Sequence, residues 1–287
     1  MSSVLGISRS PRFSPNSTAR DAAIFTAVAS ELRRQGHTVS TCCEDDFRTA
    51  AGADVVFNMG RGVDTLKRLA AEEAAGLTVV NSATALLAGS RTALTARFTA
   101  ARLPVAPCTE IRVAAPAPAI ADGRRYWLKR GEACAQTAGD VRLVCSTAEL
   151  EAALADFRQR GIGEALLSAH IEGDLVKFYG VEGTDFFDHY YPTADVRAFS
   201  KFGLERHNGR PGGYVFSLAR LKADADTAAR LSGFIVYGGD CIVRPDGSYL
   251  IIDFNDWPSF SRCCAPAARA IAARLASARR QKHSDHL

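Results

Sequence analysis

The sequence lacks the cysteine and histidine patterns of zinc or disulfide proteins. It has eight cysteines in 287 residues, but no CxxC pair and no histidine at zinc-finger spacing. A chain of this length can build its own hydrophobic core, so we expect free thiols and a reducing cytoplasm. Cys263 and Cys264 are expected to pack in the core, with a redox or substrate role as the alternative.

Long apolar runs, an export signal and a strong charge excess are absent as well. No run approaches the roughly 20 apolar residues of a membrane span, and the N-terminus is too polar for a signal peptide. The net charge of +4 is small and its basic residues are dispersed, which argues against a nucleic-acid-binding protein. No convincing Ser/His/Asp set indicates a side-chain nucleophile. We therefore expect a cytoplasmic protein that neither spans a membrane nor is a dedicated nucleic-acid binder.

Strand and helix patterns alternate over the first 80 residues. Apolar strands at 4–7, 38–42, 54–58 and 78–80 are separated by helical stretches at 18–35 and 63–75. This alternation predicts an α/β lobe with a parallel sheet, similar to a Rossmann fold. Loops 8–17 and 59–62 follow the first and third strands, where open α/β sheets bind ligands. Arg9, Arg12 and Arg61 are candidates to hold an anion there, or are ordinary solvated charges.

A predicted hairpin near the C-terminus brings oxygen ligands together. The segment 234–243 ends in a strand, a Pro/Gly turn follows, and a second strand carries Asp253 and Asn255 on one face. If the loop runs from 245 to 248, Asp240 faces Asp253 across the hairpin, although a loop one residue different would change this partner. Two adjacent carboxylates repel unless a cation neutralises them. Asp240, Asp253 and Asn255 therefore form a candidate Mg²⁺ site.

An Asp, a turn and then Asp-x-Asn followed by Pro258 resembles the metal-binding hairpin of the ATP-grasp superfamily, in particular of D-alanine:D-alanine ligase-like enzymes. The resemblance implies an ATP-grasp fold, α/β with α+β C-terminal lobes, and a nucleotide site between two of these lobes. It also implies that ATP binds with Mg²⁺, or with Mn²⁺ as an alternative. Further pieces of the pattern occur upstream in the expected order.

The resemblance assigns ATP-binding roles to several of these upstream residues. Lys129 ends an apolar strand before a small-residue loop and matches the phosphate-contacting lysine. The hinge strand that reads adenine matches residues 164–171, and Asp174 is the candidate for the ribose. Lys177 either reaches phosphate or forms a cross-strand ion pair. The complete set of predicted nucleotide ligands is Arg91, Lys129, Ala169, His170, Ile171, Asp174 and Lys177.

A glycine-rich basic loop at 201–213 resembles the segment that covers the active site in this family. Its cations Lys201, Arg206 and Arg210 are the candidates to stabilise the transferred phosphoryl group, or lie on an exposed loop. Asp256 and Trp257, which follow Asp253 and Asn255, are candidates to face the unknown substrate.

The resemblance implies four segments: a Rossmann-like lobe at 1–80, a connecting helix at 81–103, a central lobe at 104–179 and a C-terminal lobe at 180–287. It implies a ligase that activates a carboxylate as an acyl phosphate for attack by an amine or thiol. Two alternatives stay open. The hinge region also resembles inositol polyphosphate kinases of the same superfamily, and a regulatory nucleotide-binding protein without turnover is the third hypothesis.

Overall fold

The N-terminal lobe is a parallel sheet flanked by helices, as its alternating pattern predicts. The computed structural model describes residues 1–133, 135–192 and 202–284. The sheet has the order β2-β1-β3-β4, and all of its pairings are parallel. Its elements are β1 (Ser3–Ser8), α1 (Thr18–Arg34), β2 (Thr38–Cys43), β3 (Val55–Asn58), α2 (Val63–Ala74) and β4 (Thr78–Val80).

Two short helices connect this lobe to a central antiparallel sheet of order β5-β8-β6-β7. Serine side chains at 82, 90 and 146 accept backbone N–H groups and so cap the helices that follow them. The elements are α3 (Ala83–Ala88), α4 (Arg91–Ala100), β5 (Cys108–Arg112), β6 (Tyr126–Arg130), β7 (Val141–Val144), α5 (Thr147–Gln159) and β8 (Glu164–Ala169).

The C-terminal lobe is a second antiparallel sheet, of order β10-β9-β11-β12. The sequence prediction placed residues up to 179 in the central lobe, but β9 pairs with β10 and β11, so its hydrogen bonds put it in the third sheet. The chain passes from the central sheet to the third sheet at the turn before Asp174. The elements are β9 (Asp174–Val181), β10 (Phe187–Tyr190), α6 (Leu218–Ser232), β11 (Val236–Val243), β12 (Tyr249–Asp256) and α7 (Cys264–Ser284).

The first and third lobes share one hydrophobic core. A single buried cluster contains Val4 and Phe57 of the first lobe together with Trp257 and Ile271 of the third. The amide of Asn81 also bonds Val236 twice, since its Nδ2 donates to the carbonyl at 2.8 Å and its Oδ1 accepts the N–H at 2.8 Å. These two lobes therefore form one packed unit.

Within the described ranges, no helix is both long enough and apolar enough to cross a membrane.

Candidate active site

A cavity of about 300 Å³ lies between the central sheet and the hairpin of the third sheet, and the N-terminal loops close one end of it. Residues from all three lobes reach its wall. The predicted residues among them are Arg9, Arg61, Arg91, Lys129, Ala169, His170, Ile171, Lys177, Asp240, Asp253, Asn255 and Asp256. The structure thus gathers most of the sequence candidates at one place.

The hairpin places Asp240 directly opposite Asp253, and the predicted pairing of these two carboxylates is confirmed. The predicted turn was one residue too short, because Val243 rather than Arg244 faces Tyr249. A β-bulge next to Asp240 absorbs Ile252 and restores the pairing. The Ile252 carbonyl accepts a hydrogen bond from Lys129 Nζ at 2.7 Å.

Cationic side chains surround Asp253. Arg91 lies 3.3 Å from its carboxylate and also donates to the carbonyl of Arg130 at 2.7 Å. Burial alone would raise the pKa of Asp253, but Arg91 and Lys129 outweigh it and hold the pKa well below its usual range. Burial also lowers the pKa of Lys129, against the opposing effect of Asp253. A negative carboxylate and two positive groups therefore stand together at the centre of the cavity.

Lys177 forms the cross-strand ion pair that the sequence left as one of two alternatives. Its Nζ lies 3.1 Å from Asp240 on the neighbouring strand and 3.4 Å from Glu205 of the glycine-rich loop. Burial disfavours the ammonium, but the two carboxylates outweigh burial and raise the pKa of Lys177. The same ammonium faces the cavity, where a phosphate can contact it.

The donor chemistry of the hairpin fits a hard cation. Asp240 and Asp253 supply carboxylate oxygens, and the amide nitrogen of Asn255 donates a hydrogen bond to Asp253 Oδ2 at 3.1 Å. Mg²⁺ requires few protein oxygens because it keeps waters and binds phosphates. Among the described residues, no group of three or more His, Cys, Asp or Glu side chains is placed to hold a metal ion, and the hairpin itself offers two carboxylates and one amide.

The predicted hinge lies along the wall of the cavity beside Trp127. Ala169, His170 and Ile171 all border the cavity, as does the indole. The backbone N–H of His170 donates to the Arg125 carbonyl at 2.8 Å. Trp127 Nε1 donates to His170 Nδ1 at 3.0 Å. The hinge is therefore fixed against β6 by both a backbone and a side-chain hydrogen bond.

Asp174 does not lie in the cavity, and this placement contradicts the ribose role expected of it. The residue is 3 % exposed and its carboxylate accepts the backbone N–H groups of Gly212, Gly213 and Tyr214 at 2.5 to 3.0 Å. Strand alternation explains the placement, because Asp174 is three residues from Lys177 and so points to the opposite face of β9. Asp174 anchors the end of the glycine-rich loop.

The glycine-rich loop presents an acid to the cavity where the sequence predicted cations. Glu205 borders the cavity, whereas Arg206 and Arg210 are exposed and do not border it. The short helical turn that carries Glu205 directs the neighbouring Arg206 outward. The third candidate, Lys201, lies outside the described residues. No motif in the sequence pointed to Glu205, whose partner Lys177 lies far away in the sequence on β9.

A buried ionic cluster links the N-terminal loops to the hairpin. Arg9, only 7 % exposed, lies 2.9 Å from Asp21 and 3.6 Å from Asp256. Arg61 lies 2.6 Å from Asp256 as well. Arg12, in contrast, is 64 % exposed and pairs with a surface aspartate. Arg9 and Arg61 were predicted either to hold an anion or to be solvated charges. In the structure both guanidinium groups already pair with carboxylates of the protein.

Glu44 joins loop 8–17 to loop 59–62 through hydrogen bonds. Its buried carboxylate accepts the backbone N–H of Ser10 at 2.6 Å, of Arg61 at 2.9 Å and of Gly62 at 2.6 Å. The last two donors stand at the start of α2, where a helix N-terminus favours negative charge. No motif in the sequence pointed to Glu44, which follows an unremarkable strand.

Two further expectations concern residues near the hairpin. Asp256 faces the cavity as predicted, but Trp257 is 1 % exposed and packs against Phe57 in the shared core. Cys263 is buried in the same core, and burial, helped by Asp188, raises the pKa of its thiol. Burial also raises the pKa of Cys264. Both raised values fit the expected packing role, since the thiolate is the reactive form.

The fold is shared with solved ligase structures at low sequence identity. D-cycloserine synthetase DcsG matches with a TM-score of 0.64 and 14 % identity over 95 % of this chain and 99 % of that one. A RimK domain ATP-grasp protein from Sphaerobacter thermophilus gives 0.65 and 18 %, with the same coverage. D-alanine–D-alanine ligase from Bacillus anthracis complexed with ATP gives 0.64 and 10 %, over all of both chains.

No family model matches the sequence, and no curated protein sequence matches it. The likeness therefore rests on three-dimensional structure over nearly the whole chain. The predicted fold class, an α/β N-terminal lobe with a parallel sheet followed by α+β C-terminal lobes, is confirmed, and the structure adds that both later sheets are antiparallel. The chain has the ATP-grasp fold.

Proposed function

We propose that this protein is an ATP- and Mg²⁺-dependent ligase that joins a carboxylate to an amine, or to a thiol, and releases ADP and phosphate. The observation that carries the proposal is the pairing of Asp240 with Asp253 across the hairpin, with Lys129 and Arg91 beside them, in one cavity. Oxygen ligands for a cation and positive groups for phosphates are what a nucleoside triphosphate requires. The ATP complex of a ligase with the same fold supports the choice of nucleotide.

Each part of the cavity has a role in this proposal. Lys129 and Arg91 bind phosphate oxygens, and Lys177 supplies a further positive charge beside Asp240. Asp240, Asp253 and Asn255 hold Mg²⁺, or Mn²⁺ in its place. The ion, when bound, neutralises charge on the phosphates.

The proposed reaction has two steps. A substrate carboxylate oxygen attacks the γ-phosphorus of ATP, the bond from that phosphorus to ADP breaks, and an acyl phosphate forms. The amine nitrogen then attacks the acyl carbon. The bond between this carbon and the phosphate oxygen breaks, phosphate leaves, and the nitrogen loses a proton. No protein nucleophile is needed, so positioning and electrostatics carry the catalysis.

The N-terminal end of the cavity is the proposed position of the substrates. It combines the hydroxyl groups of Ser14 and Ser17 with the cluster of Arg9, Arg61 and Asp256. Because these guanidinium groups are already paired with a carboxylate, the site does not favour the polyphosphorylated substrate of an inositol kinase. The intact hairpin likewise does not favour a regulatory protein without turnover.

Hydroxylamine trapping tests the proposal. The protein is incubated with ATP, Mg²⁺, hydroxylamine and a panel of amino acids and small carboxylates, and both ADP and hydroxamate are measured. We expect one or more carboxylates to give hydroxamate together with ADP, because hydroxylamine captures the acyl phosphate. Mass spectrometry of the products in the absence of hydroxylamine identifies the joined compound.

Two other results would contradict the ligase. ADP formed together with a phosphorylated alcohol would identify a kinase. Binding of ATP without turnover for any panel member, at carboxylate concentrations up to the millimolar range, would favour the regulatory protein.

A further inference from the structure

A tryptophan–histidine pair occupies the hinge side of the cavity. Trp127 lies on β6, His170 follows the end of β8, and both border the cavity. Their side chains are joined by the 3.0 Å hydrogen bond from the indole Nε1 to the imidazole Nδ1. Trp127 also packs edge to face against His207 of the glycine-rich loop, with ring centroids 5.6 Å apart.

This hydrogen bond determines which imidazole nitrogen carries the proton. The indole nitrogen can only donate, so Nδ1 of His170 must accept and cannot itself carry a proton. The neutral ring then has its proton on Nε2. Burial lowers the pKa of His170, and the nearby Arg125 lowers it further against the opposing effect of Glu172. His170 is therefore a neutral imidazole that presents one N–H donor.

The Nε2 donor has no acceptor among the described residues, although the His170 side chain is only 2 % exposed. The nearest carboxylate oxygen, Oε1 of Glu172, is 3.7 Å away, which is beyond hydrogen-bond distance. Glu172 is itself 81 % exposed and pairs with Arg125 at 2.5 Å. A buried donor without an acceptor is costly, and such donors in folded proteins usually meet a ligand or water.

We propose that His170 Nε2–H donates to an acceptor ring nitrogen of the purine base of the bound nucleotide, and that His170 thereby positions the base. This inference rests on the proposed function, which places ATP in the cavity. The backbone N–H of His170 is already bonded to Arg125, so the side chain is the donor that this residue has left to offer. Adenine offers acceptor nitrogens at N1, N3 and N7. Guanine keeps the acceptors at N3 and N7 but carries a proton on N1, so the contact excludes guanine only where it is made to N1.

Deaza analogues of ATP test the inference. Binding of ATP, 1-deaza-ATP, 3-deaza-ATP and 7-deaza-ATP is measured by calorimetry, because each analogue replaces one ring nitrogen by C–H. We expect wild-type protein to bind one of the three roughly three- to tenfold more weakly than ATP, the effect of one hydrogen bond. His170→Leu should bind ATP more weakly by a similar factor and should no longer distinguish that analogue from ATP.

Two further variants separate a hydrogen bond from a packing effect. His170→Gln places an amide N–H near the position of Nε2 and should retain part of the discrimination. Trp127→Phe removes the indole donor and with it the constraint on the tautomer, so discrimination should fall although His170 is present. Thermal unfolding of each variant checks that the fold is kept.

Several results would overturn the inference. If wild-type protein binds all three analogues as tightly as ATP, no ring nitrogen is read. If His170→Leu still discriminates against the same analogue as strongly as wild type, another group reads it. Failure of wild-type protein to bind ATP at all would instead overturn the proposed function, so the two failures are distinguishable.

Discussion

Asp253 combines three contacts that no other carboxylate of the hairpin has together. The residue pairs with Asp240 across the hairpin, and its carboxylate oxygens lie 3.3 Å from Arg91 and 3.1 Å from the amide nitrogen of Asn255. The positive neighbours keep it ionised, since they hold its pKa well below the usual range. A cation that binds here gains a fully charged ligand at any pH near neutrality.

Asp253→Asn should lower Mg²⁺-dependent ADP release by roughly 100-fold or more, because the amide keeps the shape but loses the charge that holds the cation. Steady-state ADP release measured over a range of Mg²⁺ concentrations checks this expectation. Asp122→Asn, at an exposed loop position, is the matched control and should behave as wild type. Near-normal turnover in Asp253→Asn would mean that the hairpin does not hold the metal.

At the scale of secondary-structure elements, the alternation of β9 separates two residues that the sequence prediction had placed in one site. Lys177 faces the cavity, while Asp174 faces the glycine-rich loop and bonds three of its backbone N–H groups. One face of β9 therefore places Lys177 in the cavity, and the opposite face fixes the glycine-rich loop through Asp174.

Asp174→Asn should loosen this loop without changing recognition of the ribose. One amide oxygen cannot replace two carboxylate oxygens that accept three N–H groups, so we expect limited proteolysis between residues 202 and 214 to be several-fold faster. The ratio of affinities for ATP and 2′-deoxy-ATP should stay at the wild-type value. A ratio that falls to one in the variant would restore Asp174 as the ribose ligand.

The loop after β6 depends on another buried carboxylate. Asp140 accepts the backbone N–H groups of Gln136 at 2.7 Å and of Thr137 at 3.1 Å, and it pairs with Arg160. Burial opposes ionisation, but these hydrogen bonds outweigh it and lower the pKa of Asp140. A lowered pKa stabilises the fold at pH values above the ordinary aspartate value of 3.8, and the benefit is lost as the pH falls below it.

Asp140→Asn should therefore destabilise the protein by about 1 to 3 kcal/mol at pH 7. The difference from wild type should narrow as the pH falls below 3.8, where the carboxylate of the wild-type protein begins to be protonated. Urea unfolding at a series of pH values measures both effects. Asp122→Asn provides the baseline, and a difference independent of pH would show that the charge of Asp140 is not what stabilises the loop.

The sequence predicts those site residues whose positions follow from the alternation of one strand. It does not predict those whose positions depend on contacts with distant parts of the chain. Asp240, Asp253 and Asn255 follow from alternation and one turn, and their pairing was predicted even though the turn length was wrong. The turn is one residue longer than predicted, and the bulge at Ile252 compensates for that extra residue, so Asp240 still faces Asp253. Nothing in the apolar run around Ile252 indicates a bulge. Glu205 and Glu44 were missed because each acts on partners far away in the sequence, Lys177 and Arg61.

At the scale of the whole molecule, the N-terminal lobe and the hairpin of β11 and β12 are packed as one body. The shared core, the double hydrogen bond of Asn81 and the cluster around Arg9 all cross between them. The central lobe has a core of its own, which includes Leu128 and Phe157. The cavity thus lies between one composite body and one separate lobe.

Arg9→Met should destabilise the protein by about 3 kcal/mol or more, because it leaves Asp21 and Asp256 buried with less compensating charge. Arg12→Met, three residues away on the same loop, removes an exposed ion pair and should cost less than about 0.5 kcal/mol. Chemical denaturation of both variants gives the comparison. Equal stabilities for the two would show that the buried cluster does not hold the lobes together.

Glu44 has a consequence for how substrate preference can change. A parallel sheet ordinarily offers the backbone at its strand ends and helix N-termini to an external anion. Here that position is filled by a carboxylate of the protein itself, bonded to Ser10, Arg61 and Gly62. This backbone is therefore not available to an external anion, and the groups that the cavity presents at this edge are side chains such as those of Ser14 and Ser17. Under the proposed function, single substitutions of these side chains would change substrate preference while the lobe that carries them is preserved.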